Sequence, residues 1–320
     1  MTPAAADPTA HRSPPALRLV VAVNPTAAFG ASADAGDRVV AAYRALGHTV
    51  APLRAPDFAS LMDATRGALT TRPDALIVVG GDGMANLGTT LVAGSDVPLG
   101  IVACGTGNDL ARGLGLPVND IDAAVGVTLR ALLDGARVID AVTVTPADGT
   151  RRWFAGVLSA GFDAAVNERA NRLRFPRGRS RYVLALLIEL VRLRPRIYRL
   201  VLDGEVVETR ALLVSVGNNV SIGGGMRVTP DALLDDGLLD VMIVRPLSRL
   251  AFLRIFPRVF AGTHLSDPRV SIVRAKTVRI ETDGTVVAYA DGERMGALPA
   301  VIEVHPRVLR VLAPARRAEG

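Results

Sequence analysis

Lysine is almost absent from this 320-residue sequence: Lys276 is its one representative, and every other basic residue is arginine. That excludes any chemistry needing a lysine elsewhere in the chain. Cysteine is as scarce. Cys104 stands alone, which excludes an internal disulfide framework and a cysteine zinc cluster and fits a reducing compartment. Four histidines, His11, His48, His264 and His305, are scattered without metal-ligand spacing and read as ordinary surface or core residues. Aromatic residues make up 4% of the chain, so the core must be built from Val, Leu, Ile and Ala. No apolar run reaches the ~18 residues that cross a bilayer; the best candidate, Tyr182 to Val191, is short and contains Glu189. The segment 1–16 is rich in Pro and Ala, carries charge and lacks the apolar middle of a signal peptide. It is expected to be a disordered extension, and the protein to be cytoplasmic with peripheral membrane contact only.

What is present supports a folded, two-domain protein. Hydrophobic residues are 49% and charged residues 21%, enough for a sizeable core. The formal charge of +6 favours an anionic partner: nucleic acid, an anionic membrane or a polyphosphate. Up to about residue 138 the chain alternates strands and helices. Leu19–Val23, His48–Leu53, Asp74–Val79 and Leu99–Ala103 read as strands, with helices over Ala33–Leu46, Phe58–Leu69 and Asn86–Val92. Repeated strand, glycine turn and helix argue for a parallel sheet covered by helices. Beyond that point the segments are short and β-rich. Strands are expected at Val138–Val144, Arg152–Leu158, Tyr198–Leu202, Val206–Val216, Leu238–Val244, Thr277–Thr282 and Val286–Ala290. The pairs Asp148-Gly149, Asp203-Gly204 and Asp283-Gly284 read as hairpin turns between them. Two helices, near Arg179–Leu193 and Leu247–Phe260, interrupt this half. The expected fold is therefore an α/β domain with a parallel sheet (17–138), then a β-rich domain (139–299), with a ligand cleft between them.

Two glycine turns carry the chemistry. The first, Gly80-Gly81-Asp82-Gly83-Met84-Ala85-Asn86, follows a strand and precedes a helix. Glycines let several N–H groups approach one phosphate, and a helix N-terminus adds favourable partial charge. Asp82 in such a place repels phosphate unless a metal ion lies between, or unless it acts as a base; it can also cap the turn. The second turn, Gly105-Thr106-Gly107-Asn108-Asp109, repeats the layout one strand later. Together the two would line one crevice. Neither matches a dinucleotide fingerprint or a P-loop.

These loops resemble the two nucleotide-binding loops of the diacylglycerol kinase catalytic-domain family, which includes bacterial diacylglycerol kinases and sphingosine-kinase relatives. Asn24-Pro25 resembles the first nucleotide-contacting turn. Gly217-Asn218, Gly223-Gly224-Gly225-Met226 and Asp236-Gly237-Leu238-Leu239-Asp240-Val241 resemble the second-domain core motif, and Asp291-Gly292-Glu293 the late acidic motif. The resemblance implies a β-sandwich second domain, a final segment (300–314) returning to the first domain ahead of a short tail (315–320), and phosphorylation of a lipid hydroxyl by ATP. It implies Glu293 as proton acceptor, with Asp291 the less favoured choice, and Asp82 as the essential loop aspartate. A Mg²⁺ site of structural role would use Asp236 with backbone carbonyls of Leu233 and Leu238.

Met84 stands where the family usually has Thr, and Leu87 where Glu is common; the first turn also lacks its usual Ser-Gly and basic residue. Three readings follow: a diacylglycerol kinase, a kinase of another lipid alcohol such as a sphingoid base, and a catalytically impaired nucleotide- or membrane-sensing protein. A kinase of soluble nucleotides such as NAD shares the Gly-Gly-Asp-Gly loop, but the Gly-Thr-Gly-Asn-Asp loop and the Arg-rich stretch argue against it. Arginines at 169, 172, 174, 177, 179 and 181 precede the apolar stretch Tyr182–Leu190, and Arg192, Arg194, Arg196 and Arg199 follow it. This pattern suits either an interfacial element on anionic lipid at the inner membrane face or a core helix with solvated arginines. Without aromatic interleaving, nucleic acid is not an expected partner. A homodimer is compatible with the sequence.

Overall fold

The computed structural model describes residues 16–24, 34–173, 175, 179–192 and 194–315. Pro25 and the rest of the first turn, the bulk of the N-terminal extension and C-terminal tail, Arg174 and Arg177 lie outside the described residues, as do the side chains of Arg179 and Arg181.

Odd and even residues of the first strands face different helices. In β1 (Arg18–Val23), Leu19, Val21 and Val23 pack with α1 (Ala35–Ala45), while Val20 and Ala22 point to the opposite face. Then come β2 (Thr49–Leu53), α2 (Phe58–Leu69), β3 (Ala75–Gly80), α3 (Asp82–Val92), β4 (Leu99–Ala103), α4 (Asp109–Gly113) and α5 (Ile121–Asp134). Strands β2, β1, β3 and β4 pair in that order, all parallel. Helices α1 and α5 cover one face; α2 and α3 cover the other. With both faces covered, every residue of β3 is buried, so its sequence is a continuous apolar run without alternation. Parallel pairing also brings the turns that follow β3 and β4 to one edge of the sheet.

The chain then crosses on β5 (Arg137–Thr145) into β6 (Arg152–Phe154), β7 (Val157–Gly161), α6 (Phe162–Arg172), α7 (Arg179–Val191), β8 (Arg196–Leu202), β9 (Glu205–Ala211) and β10 (Leu213–Gly217). It ends through β11 (Leu239–Val244), α8 (Arg249–Ala261), β12 (Val270–Ala275), β13 (Thr277–Thr282), β14 (Val287–Ala290), β15 (Glu293–Ala297) and β16 (Ala300–Val311). Six strands, β12-β11-β10-β7-β14-β15, form an antiparallel sheet. The remaining strands join the first sheet, which reaches ten strands. β16 is the seam: its start pairs with β13, most of its length with β5, and Val311 with Leu99 of β4. Between the sheets lies a core that includes Phe154, Tyr198, Val214, Val241, Ile280 and Ile302. The outer face of the antiparallel sheet is covered by α6, α7 and α8 through Phe162, Leu190 and Phe252.

Several expected elements differ in detail. The run Arg152–Leu158 breaks at Ala155-Gly156, because the backbone there turns its N–H groups toward a carboxylate. Val206–Val216 divides at Leu212, where the chain leaves one sheet for the other. Asp203-Gly204 is a two-residue hairpin and Asp148-Gly149 turns β5 into β6. Asp283-Gly284 is not a hairpin: it joins β13 and β14, which belong to different sheets. α5 is N-capped by Asp120, whose carboxylate accepts the Ala123 N–H.

Candidate active site

The two glycine turns touch through their backbones. A Cβ placed on Gly81 would lie 3.2 Å from the Gly105 Cα, and one on Gly107 would overlap the Asp82 carboxylate. Only glycine permits that approach. Helix α3 begins at Asp82, earlier than the sequence suggests, so the first loop is itself the helix N-terminus. Such an end presents backbone N–H groups and positive partial charge to a phosphate.

Asp82 fastens the loops together. Its Oδ2 accepts the Asn108 N–H at 2.8 Å and its Oδ1 the Asp109 N–H at 2.6 Å. Burial raises its pKa, the neighbouring Asp109 charge adds to the rise, and the N–H groups oppose it. Asn108 adopts a left-handed conformation with φ 58°. Its amide closes the second loop, donating to the Gly105 carbonyl at 2.7 Å and accepting the Gly105 N–H at 3.0 Å. Thr106 at the tip is exposed. Asn24 follows β1 beside Gly80, with its backbone N–H on the Val79 carbonyl at 3.2 Å.

Three predicted site residues, Met84, Asn86 and Asp109, turn away from the cleft, and so does Leu87. Met84 is buried in the core beneath Gly80. Leu87 is buried in that same core. Asn86 donates to the Trp153 carbonyl at 3.0 Å, tying α3 to β6. Asp109 faces the second domain: its carboxylate accepts the Ser221 hydroxyl at 3.0 Å and the N–H groups of Gly224 at 2.7 Å and Gly225 at 2.8 Å. The glycine motif at 223–225 thus serves as a socket for a first-domain carboxylate.

The late acidic motif is a hairpin tip. Asp291 and Gly292 have φ of 50° and 83° and connect β14 to β15, so Ala290–Arg294 is not extended and its two acids do not share a pleated face. The Asp291 carboxylate instead accepts three consecutive N–H groups, from Ala155, Gly156 and Val157, each at 3.2 Å. Burial still pushes its pKa up to about 6, with the Asp82 charge contributing and the N–H groups opposing. Glu293 is different. Among the described residues its carboxylate has no hydrogen-bond partner, and its Oε1 lies 3.0 Å from where a Cβ on Gly83 would stand. Burial raises its pKa too. A half-buried carboxylate of raised pKa, beside the first glycine loop and without a hydrogen-bond partner among the described residues, is equipped to accept a proton.

The residues expected to hold a metal lie apart from this cleft. Asp236 accepts the Leu238 N–H at 3.0 Å, and its neighbour Asp235 pairs with Arg137 at 3.1 Å. Among the described residues no group of three His, Cys, Asp or Glu side chains is gathered as a metal site. Two buried atoms in this region have no hydrogen-bond partner among the described residues: Nε of Arg137, and Oδ2 of Asp240, a carboxylate whose pKa is raised by burial despite Arg274.

Comparison with known proteins fits this geometry. Residues 18–144 match the diacylglycerol kinase catalytic domain, and residues 156–313 match the YegS C-terminal NAD kinase beta sandwich-like domain. A diacylglycerol kinase of Mycobacterium tuberculosis (strain ATCC 25618 / H37Rv) is 40% identical over 299 residues, covering 93% of this chain and 95% of its own. The chain belongs to the diacylglycerol kinase family. Membership makes it a lipid kinase. The diacylglycerol kinase of Bacillus subtilis (strain 168) is 28% identical, covering 80% of this chain and 83% of its own. For fold alone, a crystal structure of a diacylglycerol kinase from Bacillus anthracis str. Sterne gives a TM-score of 0.69 at 22% identity, covering 93% of this chain and 97% of that one.

Sequence reasoning missed the N–H groups of 155–157, the Ser221 hydroxyl and the Trp153 carbonyl. Gly156 was the available signal, since an isolated glycine between strands marks a close approach: a Cβ there would overlap the Asp291 carboxylate.

Proposed function

We propose that this chain transfers the γ-phosphate of ATP to the free hydroxyl of diacylglycerol, giving phosphatidic acid and ADP. The observation carrying this reading is the Glu293 carboxylate beside Gly83, which has no hydrogen-bond partner among the described residues. The nucleotide phosphates lie on the first turn of α3 and the Gly105–Gly107 loop, with Asn24 at the nucleotide's edge. As the lipid oxygen attacks the γ-phosphorus, its proton passes to Glu293 and the bond to the ADP oxygen breaks. Asp82 acts on the loops: with both oxygens on N–H groups, it holds the second loop against the first. Asp291 plays a similar part for the 155–157 strand break.

Bound with the nucleotide, magnesium would offset the phosphate charge. A second cation, of structural role, suits Asp236 with the carbonyls of Leu233 and Leu238; the unpartnered Asp240 oxygen nearby favours a positive charge in this region. Because the substrate is a bilayer component, the enzyme in this reading works at the inner membrane face. Among the described residues no helix is long and apolar enough to cross a membrane.

The test is phosphate transfer from labelled ATP into mixed micelles holding diacylglycerol, sphingosine or no lipid. Label in phosphatidic acid alone is expected. Label in sphingosine alone would keep the mechanism and change the acceptor; no label in any lipid, with ATP still bound, would overturn the reading.

A further inference from the structure

Helix α8 presents an apolar stripe that the other described residues leave uncovered. Its inner face is anchored: Phe252 and Ile255 are buried, and Phe252 meets Phe162 of α6 with ring centroids 4.8 Å apart. Its outer face carries Leu250, 69% exposed, Leu253, 48% exposed, and Phe260, 51% exposed. At 100° per residue these three and the exposed Pro257 fall within an arc of about 80°. Scattered exposed apolar residues need no explanation, but one contiguous stripe does. Val191 at the end of α7, 68% exposed, extends it, since Arg249 binds that helix end through the Leu190 and Val191 carbonyls.

Charge selects the occupant. From Arg245 to Ser266 the chain has no Asp or Glu, while Arg249, Arg254 and Arg258 flank the stripe on both sides. An apolar ridge between arginines is complementary to a bilayer with acyl chains below and anionic headgroups above. A second copy would set arginines against arginines across a two-fold contact.

The helix is also coupled to the site. The Arg227 N–H donates to the Val259 carbonyl at 3.0 Å, and Gly225, two residues earlier, donates to Asp109 at 2.8 Å. One short segment therefore links the Phe260 end of the stripe to the second nucleotide loop.

We propose that the outer face of α8 docks this enzyme on anionic bilayers, with Leu250, Leu253 and Phe260 entering the interface and Arg254, whose guanidinium has no partner among the described residues, contacting lipid phosphate; Arg249 and Arg258 are held by the Leu190, Val191 and Thr263 carbonyls. This rests on the lipid-kinase reading for its purpose, though not for its geometry.

The test is flotation of the full chain with vesicles of phosphatidylcholine, with or without about 30 mol% phosphatidylglycerol. The wild type is expected to float with anionic vesicles and about tenfold less with neutral ones. A Leu253→Ser/Phe260→Ser variant should lose about tenfold of that binding, and Arg254→Glu should lose it while leaving the stripe intact. Melting temperature and turnover on a dispersed short-chain diacylglycerol should stay at wild-type values. A wild type that stays at the bottom, or variants that float equally well, would overturn the proposal. So would a dimer that the double variant converts to monomer without any change in flotation. If no lipid accepts phosphate but flotation still falls in the variants, docking stands and the kinase reading fails.

Discussion

The glycine loops of the first domain and the β14–β15 hairpin of the second meet at one cleft, yet they treat their carboxylates in opposite ways. Asp82 and Asp109 on the loops are spent on hydrogen bonds to N–H groups and a hydroxyl, binding loop to loop and domain to domain. At the hairpin the duties are divided between neighbours. Asp291 fixes the tip to the 155–157 backbone, and Glu293, two residues on, has no such partner among the described residues. Acids satisfied by the backbone make a rigid frame, and the one left over is available for proton transfer. Burial raises the pKa of all three of Asp82, Asp291 and Glu293, so the direction of the shift alone does not separate frame from chemistry. Hydrogen bonding does.

The contrast is sharpened most by Asp82→Ala. It leaves two N–H groups of a buried turn without partners and lets the loops part, so turnover should vanish and stability should fall by about 2–4 kcal/mol. Calorimetry beside a kinase assay checks both; lost turnover at unchanged stability would move Asp82 from frame to chemistry. Gly107→Ala should act next most strongly. Its methyl group overlaps the Asp82 carboxylate, so affinity for a non-hydrolysable ATP analogue should drop by about tenfold or more.

A third effect appears in pH dependence. Asp291 has its pKa raised from 3.8 to about 6, so the folded state binds more protons than the unfolded state between those values. Stability from this group is therefore greatest at low pH and declines as pH rises through that window, flattening above it. The melting temperature of the wild type, measured relative to Asp291→Asn, should follow that curve. The smallest effect on activity belongs to Met84→Thr. Because Met84 packs in the core, the change should cost about 1–3 kcal/mol of stability and alter turnover by less than about twofold. A large gain in turnover would mean that the threonine hydroxyl reaches the nucleotide after all.

Local signals were legible where one segment carries its own physics. The parallel strands, the glycine turns and the Asp203-Gly204 hairpin could be read because each is written in a few adjacent residues. What could not be read were partnerships across the chain. Nothing near Asp109 says that its carboxylate is received by Ser221, Gly224 and Gly225, or near Asn86 that it is tied to Trp153. Asp283-Gly284 carries the same dipeptide as Asp203-Gly204, but its flanking strands go to different sheets, which only their tertiary partners decide. Asp291-Gly292 is itself a turn-forming pair. That the hairpin's aspartate is consumed by backbone and its glutamate is not depends on a strand break more than a hundred residues earlier.

The division between frame and chemistry is tested most directly by turnover and melting temperature of Glu293→Gln, measured on one preparation. The substitution keeps the shape and removes the ability to accept a proton. The account predicts turnover down by about 10²–10⁴ with the melting temperature unchanged. Turnover retained near the wild-type rate, or a fold weakened as in Asp82→Ala, would contradict it.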